Sequence, residues 1–271
     1  MCITSNFQIK VARHDPVIAA VVCRLLMTLT LTLNLLAVLV GALAIRGWKK
    51  QGVQRHEIVG RLGFTRSHAV RDFCFGLAVA FAAMLSAVCV AYGFKTLTFE
   101  SASSANLLQL ATHLKIFAMA FAEELGFRAF FIAGLVYFTR SPFAAVAISS
   151  LLFGLAHVNN SNATILSVTS TAVGGVMYAL PLVWTRRIWF SVGLHFGWNW
   201  FQGVLFGMPM SGTNFHSIIN FKSHGPTWWD GGDYGPEGGL LGIGTRCLVV
   251  LLTALVCKSL SLPDKIHASE Q

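Results

Sequence analysis

Apolar runs of membrane-crossing length recur along this chain, and no other feature constrains its fold more. About 20 apolar residues cross a bilayer as a helix, and a backbone inside lipid must close its own hydrogen bonds. Seven stretches satisfy this: 17–45, 73–92, 105–138, 142–158, 164–184, 188–207 and 240–260. The expected fold class is therefore all-α, a polytopic membrane helical bundle of about seven transmembrane helices. Residues 1–271 read as a single integral-membrane domain, without repeats, low-complexity tracts or soluble linkers. Composition agrees, because only 11% of residues are charged, against about 25% in soluble domains.

The net charge of +9 does not point to nucleic acid. Seven of the twenty Lys and Arg residues fall between Arg46 and Arg71, in one connection. Beside apolar spans such a cluster reads as a topology signal and a contact for anionic lipid. With seven spans, one side collects 46–71, Arg140, Arg186, Arg187, Lys258 and Lys265; the other has Lys10, Arg13, Lys95 and Lys222. The positive-inside rule then places the N-terminus outside and the C-terminus in the cytoplasm. Arg24, near the start of the first span, is expected to snorkel to the interface. The six cysteines form no C-x-x-C pair and read as small core hydrophobes. Residues 1–16 lack the pattern of a cleaved signal peptide.

The third stretch, 105–138, carries Glu123, Glu124 and Arg128, with Lys115 as its only other charged residue. Charges at bilayer depth are costly unless paired or hydrated, and they mark function by default. At 34 residues the stretch would reach about 51 Å as a helix, beyond a hydrocarbon core of roughly 30 Å. It must tilt, project or bend, with Gly126 and Gly134 as bending points. Glu124 and Arg128 are four apart and can pair on one face. Glu123 is rotated by about 100° and is free to point elsewhere. A carboxylate in a low-dielectric cavity is suited to taking a proton from water. The same cluster could instead simply hold helices together.

Two further polar groups lie in apolar settings. Phe153 and His157 share a face at the end of the fourth span. His195 and Asn199, at i and i+4, project together from the sixth. The His–Asn pair can clamp helices, donate to an oxyanion or bind a metal. Phe94–Ser104 reads as a short polar connection. Residues 208–239 read as an interfacial loop in which His216, His224, Trp228, Trp229, Asp230 and Asp233 are ordinary constituents, the alternative being that they cover the site or bind substrate. Lys115 and His113 read as packing or snorkelling residues, and Arg246 as a partner for an acid such as Glu237.

Glu-Glu-x-x-x-Arg (Glu123, Glu124, Arg128), Phe-x-x-x-His (Phe153, His157) and His-x-x-x-Asn (His195, Asn199), in that order, resemble the motifs of the CAAX prenyl protease and bacteriocin-processing (CPBP, formerly abortive-infection) intramembrane proteases. The resemblance covers about 105–207; Gly235-Pro236-Glu237-Gly238-Gly239 is similar to a loop of bacterial members. It implies an intramembrane endopeptidase that hydrolyses a peptide bond with water activated by Glu123 and His157. On the same pattern His195 and Asn199 stabilise the oxyanion, and Glu124, Arg128 and Phe153 support the site. The family has been described both as glutamate and as metalloproteases; zinc on Glu123, His157 and His195, with an open position, is the cofactor this donor set can hold. The implied partners are a peptide or protein substrate, lipidated in CAAX-type processing or a leader peptide in bacterial relatives, together with membrane lipid. A compact bacterial inner-membrane form is the expected localisation. The rival readings are a non-catalytic bacteriocin-immunity or scaffold protein of the same fold, and a proton-coupled transporter, which would favour paired broken helices.

Other intramembrane protease chemistries fit poorly. His56-Glu57 has Gly60 where His-Glu-x-x-His needs its second histidine. No Gly-x-Ser-x-Gly element occurs, and Asp233 has no second intramembrane aspartate. One geometric tension stands. Counted along their helices, His157 lies about 22 Å from the start of the fourth span and His195 about 10 Å into the sixth.

Overall fold

The computed structural model describes residues 16–103 and 109–260. Lys10, Arg13 and Lys265, used in the charge map above, lie outside them, as does the start of the 105–138 stretch. The elements in chain order are α1 (Pro16–Lys50), α2 (Arg55–Arg61), α3 (Ala69–Gly93), β1 (Leu97–Ala102), α4 (Leu110–Glu123), a π-helical segment (Glu124–Ile132) and α5 (Ala133–Thr139). There follow α6 (Pro142–Ala156), α7 (Ile165–Thr185), α8 (Trp189–Trp200) with a second π segment (Phe201–Leu205), β2 (Ile219–Ser223), α9 (Thr227–Asp230) and α10 (Leu240–Leu260).

Four helical segments are long and apolar enough to cross a membrane: Arg24–Lys50, Ala69–Gly93, Ile165–Thr185 and Leu240–Cys257. The expected count of seven is not reached by this measure. The other three apolar stretches are helical but short or interrupted. α6 has 15 residues, about 22 Å of helix against a core of roughly 30 Å. The 110–139 helix passes into π geometry at Glu124, within its motif, and α8 does so just after its motif, from Phe201.

Apolar side chains face outward along the spans. On α1, Leu25, Leu31, Leu35 and Leu39 are exposed while Ala37, Ala44 and Trp48 are buried. A soluble helix of this length would reverse that arrangement; a lipid-facing one has no reason to. Interior contacts rely instead on small residues. Gly76 of α3 and Gly193 of α8 lie against the partner helix's backbone, leaving no room for a Cβ. Gly154 and Gly175 do the same between α6 and α7. Gly134, expected as a bend, is a packing residue: a Cβ there would stand 2.7 Å from Val40 Cγ1 on α1.

The connections gather at two ends. At the basic end, α1 runs on through Arg46 to Lys50, and α2 occupies part of what reads in sequence as a plain loop. Buried Asp72 pairs with Arg71 and with Arg187 from the α7–α8 connection. Ile188 N donates to Gly63 O at 3.0 Å and Trp189 Nε1 to Thr65 O at 2.7 Å. The two basic connections are thus one surface, as alternating spans require.

At the opposite end the expected all-α architecture acquires a small sheet. β1 and β2 pair antiparallel, Leu97 with Ser223 through Ala102 with Ile219, with an irregularity between Phe99 and Ser101. Residues 94–104, expected as a polar connection, therefore supply a strand. Aromatic and β-branched side chains favour it, with Phe99 against Phe221 across the pair at 6.1 Å.

Candidate active site

The Glu123–Glu124 pair lies where helix geometry changes. The backbone from Glu124 to Ile132 adopts i→i+5 bonding, a form concentrated at functional sites, and Gly126 falls inside it. Ser149 Oγ donates to the Phe127 carbonyl at 3.0 Å within this segment. The second π segment begins two residues after Asn199.

Glu124 is fully buried and has two partners. Its Oε2 lies 3.4 Å from Arg128 Nε, the expected ion pair. Its Oε1 is hydrogen-bonded to His195 Nδ1 at 2.7 Å, which sequence spacing did not suggest. The Arg128 guanidinium sits 4.2 Å from the Phe153 ring centroid and 5.3 Å from that of Tyr178, and Nη2 donates to Gly175 O at 3.4 Å. Flanking aromatic rings favour a buried cation, so Phe153 holds the charge that holds Glu124.

Glu123 points instead into a cavity of about 410 Å³. Its Oε2 is 3.9 Å from His157 Nε2 and 3.7 Å from His195 Nε2. The tension between helix depths is therefore resolved: the two histidines converge on one carboxylate oxygen. Distance along inclined helices does not measure depth, and His157 stands at the C-cap of the short α6. The Phe153 and His195 rings are 6.1 Å apart.

Each histidine is held through its other nitrogen. His157 Nδ1 is 2.8 Å from the Phe153 carbonyl. A carbonyl only accepts, so the proton is on Nδ1 and Nε2 offers a lone pair. His195 is fixed by Glu124 and by Tyr178, whose ring stacks on it at 4.1 Å and 15°. Tyr178 carried no signal in the sequence, since its position on α7 becomes relevant only when α7 packs beside α8. Asn199, one turn after His195, lines the same cavity.

The 208–239 loop closes the cavity. Buried Glu237 accepts from Trp198 Nε1 at 3.0 Å and from Ser211 through backbone N and hydroxyl, and pairs with Arg246 Nη2 at 3.2 Å. Arg246 Nη1 also donates to the Glu237 carbonyl at 2.8 Å and to Ser170 Oγ. The expected Arg246–Glu237 pair is thus present and anchors α10, α7 and α8 to the loop. Burial, helped by the Glu237 carboxylate, pushes the Tyr234 phenol up to about 12. It stays a neutral hydroxyl, 3.3 Å from Thr171 Oγ1. His224 bonds Thr98 at 2.8 Å, Trp229 Nε1 donates to Thr96 Oγ1 at 3.2 Å, and Asp230 accepts from Ser223 and from Gly232 N. These are structural ties, as expected. His113 accepts from Trp200 Nε1 at 3.0 Å, and Lys115 lies over the Phe215 ring at 6.0 Å.

Glu123, His157 and His195 therefore meet, Asn199 shares their cavity, and Glu124, Arg128 and Phe153 stand behind them. Among the described residues, no group of three or more His, Cys, Asp or Glu side chains is arranged to hold a metal ion. Residues 105–201, which carry all three motifs, match the family model described as Type II CAAX prenyl endopeptidase Rce1-like. No curated protein and no solved structure matches the chain.

Proposed function

From the match of residues 105–201 to the Rce1-like family model, we propose that the chain is a CPBP-type intramembrane endopeptidase with Glu123 as its general base. The observation that supports it is the convergence of two histidine Nε2 atoms, at 3.7 and 3.9 Å, on Glu123 Oε2. That spacing leaves room for a water among the three.

Glu123 takes a proton from the water while His157 Nε2 accepts the other O–H and aims the oxygen at the peptide carbonyl carbon. The carbonyl π bond opens to an oxyanion. His195, held through Nδ1 beside Glu124, donates Nε2–H to it, and the Asn199 amide adds a second donor. On collapse the C–N bond breaks, and Glu123 returns its proton to the departing amine. Glu124 acts through His195, fixing the orientation of the ring. A zinc ion on Glu123, His157 and His195 would supply Lewis acidity to the same water, and metal analysis of the purified protein separates the two schemes.

The seven apolar stretches act as crossings in this reading, with the basic end cytoplasmic, in the inner membrane of a bacterium. The part of the cavity lined by Asn159, Asn160, Ser161, Met210 and Ser211 then belongs to the opposite end. The substrate is a membrane-associated peptide presented from that side, a leader or anchored segment rather than a cytoplasmic prenylated tail.

The test compares peptide pools from membranes carrying the native protein, Glu123→Gln, His157→Ala and His195→Ala, each confirmed to insert normally. Precursors accumulate and their products vanish in all three variants. Unchanged pools in all three refute the assignment.

A further inference from the structure

A second cavity of about 450 Å³ lies at the basic end, remote from Glu123, between the ends of α1, α5 and α7 and the start of α6. Arg61, Arg140 and Arg186 line it, over walls that include Val136 and Leu182. All three arginines are exposed, and among the described residues none of them forms an ion pair with a carboxylate. Arg61 lies 5.3 Å from the Trp48 ring centroid and Arg140 5.6 Å from that of Tyr137. The aromatic rings orient the guanidiniums without neutralising them.

A second observation concerns the backbone. Arg140 caps α5 and Arg186 caps α7, each in the left-handed region at φ 59°. Glycine fits such a position without strain. Both sites carry arginine instead, and both arginines face the same cavity.

We propose that this cavity binds an anionic glycerophospholipid, its phosphate held by Arg61, Arg140 and Arg186 and an acyl chain laid along Val136 and Leu182. Guanidinium forks match phosphate oxygens, and basic pockets between helices on the cytoplasmic side suit such headgroups. A lining that combines apolar side chains with three arginines favours a lipid over free phosphate. The proposal makes no use of the proteolytic reading.

The experiment measures lipid binding to the purified full chain in neutral detergent by native mass spectrometry, with phosphatidylglycerol, phosphatidylcholine and inorganic phosphate as probes. Phosphatidylglycerol is expected to bind at least tenfold tighter than phosphatidylcholine, and millimolar phosphate should not displace it. The double variant R140G/R186G should lose at least tenfold in phosphatidylglycerol affinity with an equal or higher lipid-free melting midpoint, because glycine accepts φ 59°. R61Q, an exposed change, should weaken binding separately. Equal binding of the two lipids, displacement by phosphate, or native affinity in both variants overturns the proposal.

Discussion

Glu124→Ala tests the site's architecture more sharply than loss of any catalytic group. Glu124 holds two groups, Arg128 at 3.4 Å and the His195 ring through Nδ1 at 2.7 Å. Removing the carboxylate strands a buried guanidinium, which costs about 3–5 kcal/mol. It also removes a charge-assisted hydrogen bond worth about 1.5–3 kcal/mol. If His195 donates only to the developing oxyanion, that second amount appears in kcat, about 10- to 150-fold at 1.36 kcal/mol per decade, with KM little changed. The conservative Glu124→Gln keeps an amide that hydrogen-bonds Nδ1, so it should recover about half of the lost activation free energy while remaining thermally weak. The double change Glu124→Gln with Arg128→Met removes both charges and should regain stability without full activity. The assay is steady-state cleavage of a substrate found in the peptide-pool comparison, alongside melting in the same detergent. If Glu124→Ala matches the native enzyme in both, or if the double variant restores activity along with stability, Glu124 has no positioning role.

Two further outcomes probe the surrounding frame. Glu237→Ala leaves Arg246 and Trp198 without their shared acceptor and should lower stability by about 3–5 kcal/mol; Glu237→Gln with Arg246→Met should recover much of it, as read by thermal melting. The proposed orientation predicts that a cysteine at Ser161 reacts with a membrane-impermeant maleimide in intact cells, in a background lacking the exposed native cysteines. One at Arg66 should not react, and the reverse labelling pattern would overturn the orientation.

Much of the site was legible in sequence because its parts are local. Glu124 and Arg128 pair within one turn, His195 and Asn199 share a helix face, and charges stand out in an apolar run whatever the helix packs against. The Arg246–Glu237 pair was legible for the same reason: an arginine inside a span requires an acid, and Glu237 lies nearby in the chain. The sheet was hidden because β1 and β2 lie more than a hundred residues apart, and strand pairing that distant leaves no periodic trace in either short segment. Four helices have the length and hydropathy of a crossing, and the other three apolar stretches are short or pass into π geometry, which apolarity in the sequence does not report.

Alone, the sequence determined the membrane setting, the order of the motifs and which charges must be neutralised, all consequences of burying ionisable groups in apolar runs. Only the tertiary structure decided which partner each charge takes. Glu124 turns inward to hold Arg128 and His195, leaving Glu123 to face both histidines. Tyr178 and Glu237 enter the site only because α7 and the closing loop pack there. Those choices depend on how inclined helices of unequal length converge, a three-dimensional property absent from residue spacing along any one of them.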